Sequence, residues 1–180
     1  MANVKEFKMG YEQLKEYIYM PLIKFFASIL LGLIAAFLFL QLTIDKDFLL
    51  VTLTLALVFL KRLLPLLIIA IQHKRISSGV SFSVNKDLGT FQYSREAERL
   101  WFDVDQIKKV IKVVSPSKYD NRIDLLGFGH FFYWKIILKD DKTINISCLV
   151  LDIENFFGMY LEQEKKFFVF PTNQSQASRL

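Results

Sequence analysis

The 180-residue sequence has one cysteine, Cys148, two histidines, His73 and His130, four prolines and seven glycines. A single thiol has no partner within the chain, which excludes a disulfide-built secreted domain. The low glycine and proline content excludes collagen-like and low-complexity chains. Two histidines far apart in sequence, with no second cysteine, provide no metal-ligand spacing. Cys148 lies in an apolar-rich stretch, where a thiol is a buried hydrophobe rather than a nucleophile. Gly127-Phe128-Gly129 lacks the third glycine and the following Lys-Ser/Thr of phosphate loops. Asp103 and Asp105 share one face of a regular strand, but no proton-transfer partner stands near them in sequence. No catalytic constellation, metal site or cofactor motif is present, and the chain reads as a non-enzyme.

Neither sign of charge dominates. The net charge is +5, and from residue 73 onward 16 Lys and Arg face 13 Asp and Glu. That surplus is too small for a nucleic-acid platform. Apolar residues are abundant instead: 53% of the chain is hydrophobic, with 18 phenylalanines, and mean hydropathy is +0.31. Disorder is thereby excluded. Water-soluble domains average about 45–50% apolar residues, and here the excess is concentrated in one block.

Residues 25–44 form a run of 20 without a charge, about what a helix needs to cross roughly 30 Å of hydrocarbon. Asp45, Lys46 and Asp47 interrupt it. A second apolar run covers 48–60, meets Lys61 and Arg62, and continues to residue 72. The two runs predict a transmembrane helical hairpin over residues 25–75. The first run is too long and too late for a cleaved signal peptide. Lys5, Lys8, Lys15 and Lys24 precede the spans, Lys74 and Arg75 follow them, and the loop holds Lys46 alone. Positive charge favours the cytoplasmic side, so both termini are expected there.

Lys61 and Arg62 admit two readings. In one, they lie at mid-membrane and couple to an acidic partner, because a charge there costs at least ~2.5–3.5 kcal/mol. In the other, they mark the cytoplasmic border of a short span, and residues 63–72 continue as an interfacial helix kinked at Pro65. Upstream, Phe7, Tyr11, Leu14 and Ile18 share one helical face. Residues 1–24 are therefore expected to form an amphipathic interfacial helix turning at Pro21.

Beyond residue 75 the pattern changes to strands. Val80, Phe82 and Val84 alternate with polar residues at period two. Residues 90–94 and 100–104 follow as strands, and 107–114 is ambiguous between strand and helix. Residues 131–138 and 143–150 flank a Lys-Asp-Asp-Lys turn and predict a hairpin. Residues 152–164 carry Ile153, Phe156, Phe157, Tyr160 and Leu161 at helical spacing, with Asp152 as N-cap. Residues 171–180 read as a polar tail.

This order, with the Asp105-Gln106-Ile107-Lys108-Lys109-Val110 stretch and the Leu125-Leu126-Gly127-Phe128-Gly129 turn, resembles bacterial membrane proteins that join a two-helix anchor to a cytoplasmic pleckstrin-homology-like (PH-like) domain. The resemblance covers roughly residues 79–163. It implies an α+β domain over residues 76–170, a bent antiparallel barrel or sandwich capped by a C-terminal helix, and no shared catalytic chemistry. It implies a multi-pass protein of the bacterial inner membrane.

The function expected first is a non-catalytic scaffold or accessory subunit that docks a protein partner or oligomerises. Lys61 and Arg62 are its candidate coupling residues. Phe131, Phe132, Tyr133 and Trp134 are its candidate partner face. The alternatives are a module sensing anionic lipid through Lys108, Lys109, Lys112, Lys118 and Arg122, and a membrane effector or pore protein or its immunity partner. The bilayer itself is a partner in every case.

Overall fold

The computed structural model describes residues 4–42, 48–124, 127–152 and 161–170. Eight strands form two four-stranded sheets. The first, ordered β1-β2-β3-β4, joins β1 (Val4–Lys8), β2 (Val80–Asn85), β3 (Thr90–Arg95) and β4 (Glu98–Asp103), all antiparallel. The second, ordered β7-β6-β5-β8, joins β5 (Ile107–Val114), β6 (Phe132–Leu138), β7 (Thr143–Ser147) and β8 (Leu161–Lys165). Its pairs are antiparallel except β5 with β8, which run parallel.

The period-two pattern of β2 buries Val80, Phe82 and Val84. Their neighbours Phe91 and Phe102 stack with ring centroids 5.3 Å apart. Residues 107–114 resolve as a central strand. Val110, Ile111, Val113 and Val114 are all buried, as a β-branched run lying between two neighbouring strands should be. The predicted 131–150 hairpin forms, with register Tyr133↔Ser147 to Ile137↔Thr143. At its turn, Asp141 adopts a positive φ of 62°, which aspartate tolerates better than most residues.

Three expectations change. Residues 4–8 are a strand, because Phe7 pairs with Phe82 and buries its ring at the sheet edge instead of on a helix. The helical segment starts with α1 (Tyr11–Leu14), where the Gln13 side chain accepts the Gly10 N–H at 3.1 Å. It does not turn at Pro21. A wider π turn over Lys15–Tyr19 leads straight into α2 (Met20–Leu42). Proline lacks an N–H, and a local change of helix pitch just before it accommodates the missing bond.

The third change concerns the helix that closes the domain. Residues 161–164, expected to be helical, belong to β8. The rest of that expected helix, 153–160, lies outside the described residues, as do the tail 171–180 and Leu125-Leu126. Among the described residues, the long helix α3 (Phe48–Ser77) packs one face against the domain. Leu66, Ile69, Ala70, His73, Ile76 and Ser77 are all buried. Their spacing of three and four is one stripe of an α-helix. Leu66, Ile69 and Ala70 belong to the same core as both sheets, together with Tyr17 and Ile18. The lower part of α3 is thus domain structure, although it is continuous with the apolar segment above it. A short α4 (Pro116–Tyr119) is capped by Ser115, whose Oγ accepts the Lys118 N–H.

Candidate functional site

The apolar flank of α2 faces outward. Phe26, Leu30, Leu31, Phe37 and Leu38 are each more than half exposed. Residues Tyr11–Ala35 form one continuous helical stretch long and apolar enough to cross a membrane, with 11% of its most apolar window buried. Among the described residues it is the one helix that meets this test. On α3, Leu57, Leu60, Leu64, Ile68 and Ile71 are also exposed.

The two helices lie side by side. The Phe59 ring packs edge-on against Phe25 at 6.0 Å, and its tip reaches to 3.8 Å from where a Gly32 Cβ would stand. Leu66, further along α3, lines one crevice with the earlier residues Tyr17 and Pro21, so the helices run antiparallel. Phe59 against Phe25 fixes the level of the cations. Lys24 is one residue from Phe25, and Lys61 and Arg62 are two and three residues from Phe59. At 1.5 Å per residue, all three lie within about one helical turn of a common level. Lys61 is exposed.

Below that level α3 is locked to the domain through His73. Its Nε2 lies 2.6 Å from the Val169 carbonyl oxygen and its Nδ1 lies 2.7 Å from Ser147 Oγ. A carbonyl only accepts, so Nε2 carries the hydrogen, and Nδ1 accepts the Ser147 hydroxyl hydrogen. Ser147 Oγ in turn accepts the Leu149 N–H at 3.2 Å. Burial drives the His73 pKa down to about 4, against the opposing pull of the Val169 carbonyl. The neutral ring is therefore a structural pin joining α3, β7 and the segment after β8. Cys148 sits 3.8 Å away, fully buried, with its thiol pushed up to about 12 by burial. That thiol is protonated at neutral pH and unreactive.

The aromatic run expected to be a partner face is core. Phe131, Phe132, Tyr133 and Trp134 are buried, and Trp134 Nε1 donates to the Leu151 carbonyl at 3.2 Å. Sequence alone could not separate the two because β6 is central and both faces of its first residues, through Trp134, are buried, which removes the alternation that marks a surface strand. The basic residues do not form one patch. Lys108 pairs with Asp141 and Lys109 with Glu162, both at 2.7 Å. Lys112 is only 4% exposed, with Nζ 4.6 Å from the Phe132 ring centre and 5.6 Å from that of Trp134. Exposed Lys118 approaches the same Phe132 ring at 5.4 Å, and Arg122 lies 3.9 Å from Asp120. Of the five, Lys112 and Lys118 converge, but on an aromatic ring rather than on open surface.

The pattern of lysines gave no sign of a crevice of about 490 Å³ between the base of α2 and the 124–130 loop. Glu16, Lys24, Asp124 and His130 line it with Met20 and Leu66. Asp124 shapes the loop: its two carboxylate oxygens accept the Gly127 and Gly129 N–H groups at 3.0 and 2.6 Å. His130 Nε2 donates to the Tyr17 carbonyl at 2.9 Å. Burial holds its pKa below the ordinary histidine value. Among the described residues, no group of three or more His, Cys, Asp or Glu could hold a metal ion.

No curated protein and no solved structure matches the chain significantly. The model of a PH-domain family matches residues 9–159. That span takes in both long helices and six of the eight strands described, β1 and β8 lying outside it. The α+β architecture with two packed sheets is that of a binding module for protein or lipid, and the chain belongs to this PH-domain family.

Proposed function

We propose that this protein is a membrane-anchored, non-catalytic docking module. Helices α2 and α3 enter the bilayer as a hairpin, and the PH domain stands on the cytoplasmic side to bind a protein partner or a second copy. The observation that carries this reading is the exposed apolar flank of α2, with Lys24 and Lys61 of α3 within about one helical turn of a common level. From Phe25 to Leu42, α2 is about 27 Å long at 1.5 Å per residue, close to the roughly 30 Å of a hydrocarbon core. The apolar part of α3 before Lys61 is about 20 Å by the same measure; snorkelling of Lys61 and local thinning offset the difference. Lys5, Lys8, Lys15, Lys74 and Arg75 all belong to the domain end of the helices, which supports a cytoplasmic side for that end.

Lys61 and Arg62 then act as border residues that fix the depth of the hairpin. A partner must be sought on exposed surface, because Phe131–Trp134 is core. Leu88, Trp101, Ile123 and Phe167 are among the exposed large apolar side chains of the domain. The test is capture of the tagged full chain from native membranes in mild detergent, read by native mass. A stoichiometric protein partner or a defined homo-oligomer, lost when Trp101→Ala or Ile123→Ala is introduced, supports the docking module. Release of the chain from the membranes into the supernatant of a carbonate wash refutes the anchor. Recovery as a membrane-extracted monomer carrying only lipid refutes the protein-docking role.

A further inference from the structure

We infer that the crevice at the base of α2 holds the headgroup of a phospholipid bearing a primary ammonium, of the ethanolamine class. This rests on the membrane-anchored reading, because the crevice opens at the Lys24 level where headgroups would lie. Its volume, about 490 Å³, falls in the range of about 300–1,000 Å³ usual for ligand sites. Its chemistry is divided. Glu16 and Asp124 place two carboxylates on its wall, and Lys24 supplies the one lysine. Among the described residues, neither Glu16 nor Lys24 is committed to an ion pair.

His130 adds an acceptor rather than a cation. Because Nε2 donates to the Tyr17 carbonyl, Nδ1 is the lone-pair nitrogen of the neutral ring. Asp124 already accepts two backbone N–H groups, and carboxylate oxygens retain further acceptor capacity. The crevice therefore offers the Glu16 and Asp124 carboxylates as acceptors for the N–H donors of a primary ammonium, with the neutral His130 ring on the same wall. Lys24 is left for the phosphate. A quaternary ammonium has no N–H to donate, so choline lipids gain only the charge attraction. Anionic glycerol headgroups bring no cation to the two carboxylates. The acyl chains continue along the exposed flank of α2, past Ile23, Phe26 and Leu30.

The experiment places the full chain in nanodiscs with equal parts phosphatidylethanolamine, phosphatidylcholine and phosphatidylglycerol. Mild detergent extraction is followed by native mass spectrometry of the retained lipid. The expected result is one tightly held phosphatidylethanolamine, enriched at least about tenfold over phosphatidylcholine, as the loss of charge-assisted hydrogen bonds implies. Glu16→Gln should lower that enrichment and Lys24→Gln should lower the total lipid retained, while Glu12→Gln, on the same exposed helix but outside the crevice, should leave both unchanged. Equal retention of the three lipids, or an enrichment indifferent to Glu16→Gln, overturns the headgroup site and leaves the anchor standing. Failure of the chain to enter nanodiscs at all overturns the anchor, and the headgroup site with it.

Discussion

Acidification should loosen the joint at His73 before it unfolds the rest of the domain. The ring is fully buried and both nitrogens are engaged, with Val169 at 2.6 Å and Ser147 at 2.7 Å. Its pKa falls from 6.5 to about 4 on folding. Between those values the unfolded chain holds a proton at this position and the folded chain does not. Stability therefore falls as pH falls through that window. At 1.36 kcal/mol per pKa unit the loss amounts to about 3 kcal/mol by pH 4. Above pH 6.5 this contribution is constant.

The assay is denaturant unfolding of the detergent-solubilised full chain from pH 7.5 to 4, followed by the fluorescence of core Trp134. The comparison is His73→Phe. That variant leaves Val169 O and Ser147 Oγ without their ring partner, at about 1–3 kcal/mol for each buried group left unsatisfied. It should be less stable at pH 7.5, and its stability should depend less on pH between 6.5 and 4. The carboxylates and His130 are present in both proteins, so the difference between the two curves isolates His73. Parallel curves would refute the reasoning, since the histidine would then be titrating as it does in water.

Cys148, buried with its thiol near 12, should resist maleimide at pH 7.5 in the native protein and react fully in denaturant; rapid native labelling would contradict its placement. Lys112→Glu should destabilise by several kcal/mol, the scale of an uncompensated buried charge (about 3–5 kcal/mol). Lys112→Met, which keeps the aliphatic stem against Phe132 and Trp134, should cost far less; equal losses would mean that the ammonium does not lie over the rings. Gly129→Ala would bring a Cβ to 2.9 Å from the Asp124 carboxylate and 2.7 Å from Ser117 Oγ. It should therefore cost about 1–3 kcal/mol, seen as a lower thermal midpoint, and wild-type stability would show that the loop has room to give.

The strands were legible where one face is wet. The alternation of Val80, Phe82 and Val84 located β2, and the acidic turn at Asp140-Asp141 located the β6–β7 hairpin. Legibility failed where pairing is distant in sequence. Nothing local in Val4–Lys8 signals that Phe7 will pair with Phe82, more than seventy residues away, and a short amphipathic segment satisfies helix and strand periods alike. β8 was missed for a related reason: a parallel neighbour is reached by a crossover, and its register with β5 is set by tertiary packing.

The lower half of α3 shows a third limit. Residues 66–77 carry a clear buried stripe, but the apolar run above them hides where the membrane pattern ends and the domain pattern begins. His73 marks the change, because a neutral, doubly bonded histidine belongs to a protein core. For the candidate site, the sequence picked out Lys61 and Arg62 by their charge in an apolar run. The crevice was invisible in it, since Glu16, Lys24, Asp124 and His130 converge only through packing.

The depth of the two helices in a bilayer tests the central claim most directly. Because Cys148 is buried, single cysteines can be introduced at Leu31, Lys61 and Ile123 and spin-labelled with little background. Accessibility to a lipid-soluble and a water-soluble relaxation agent then reports depth in reconstituted vesicles. The account predicts Leu31 within the hydrocarbon, Lys61 at the headgroup level and Ile123 in water. A water-accessible label at Leu31, or a label at Lys61 as deep as the one at Leu31, would contradict it.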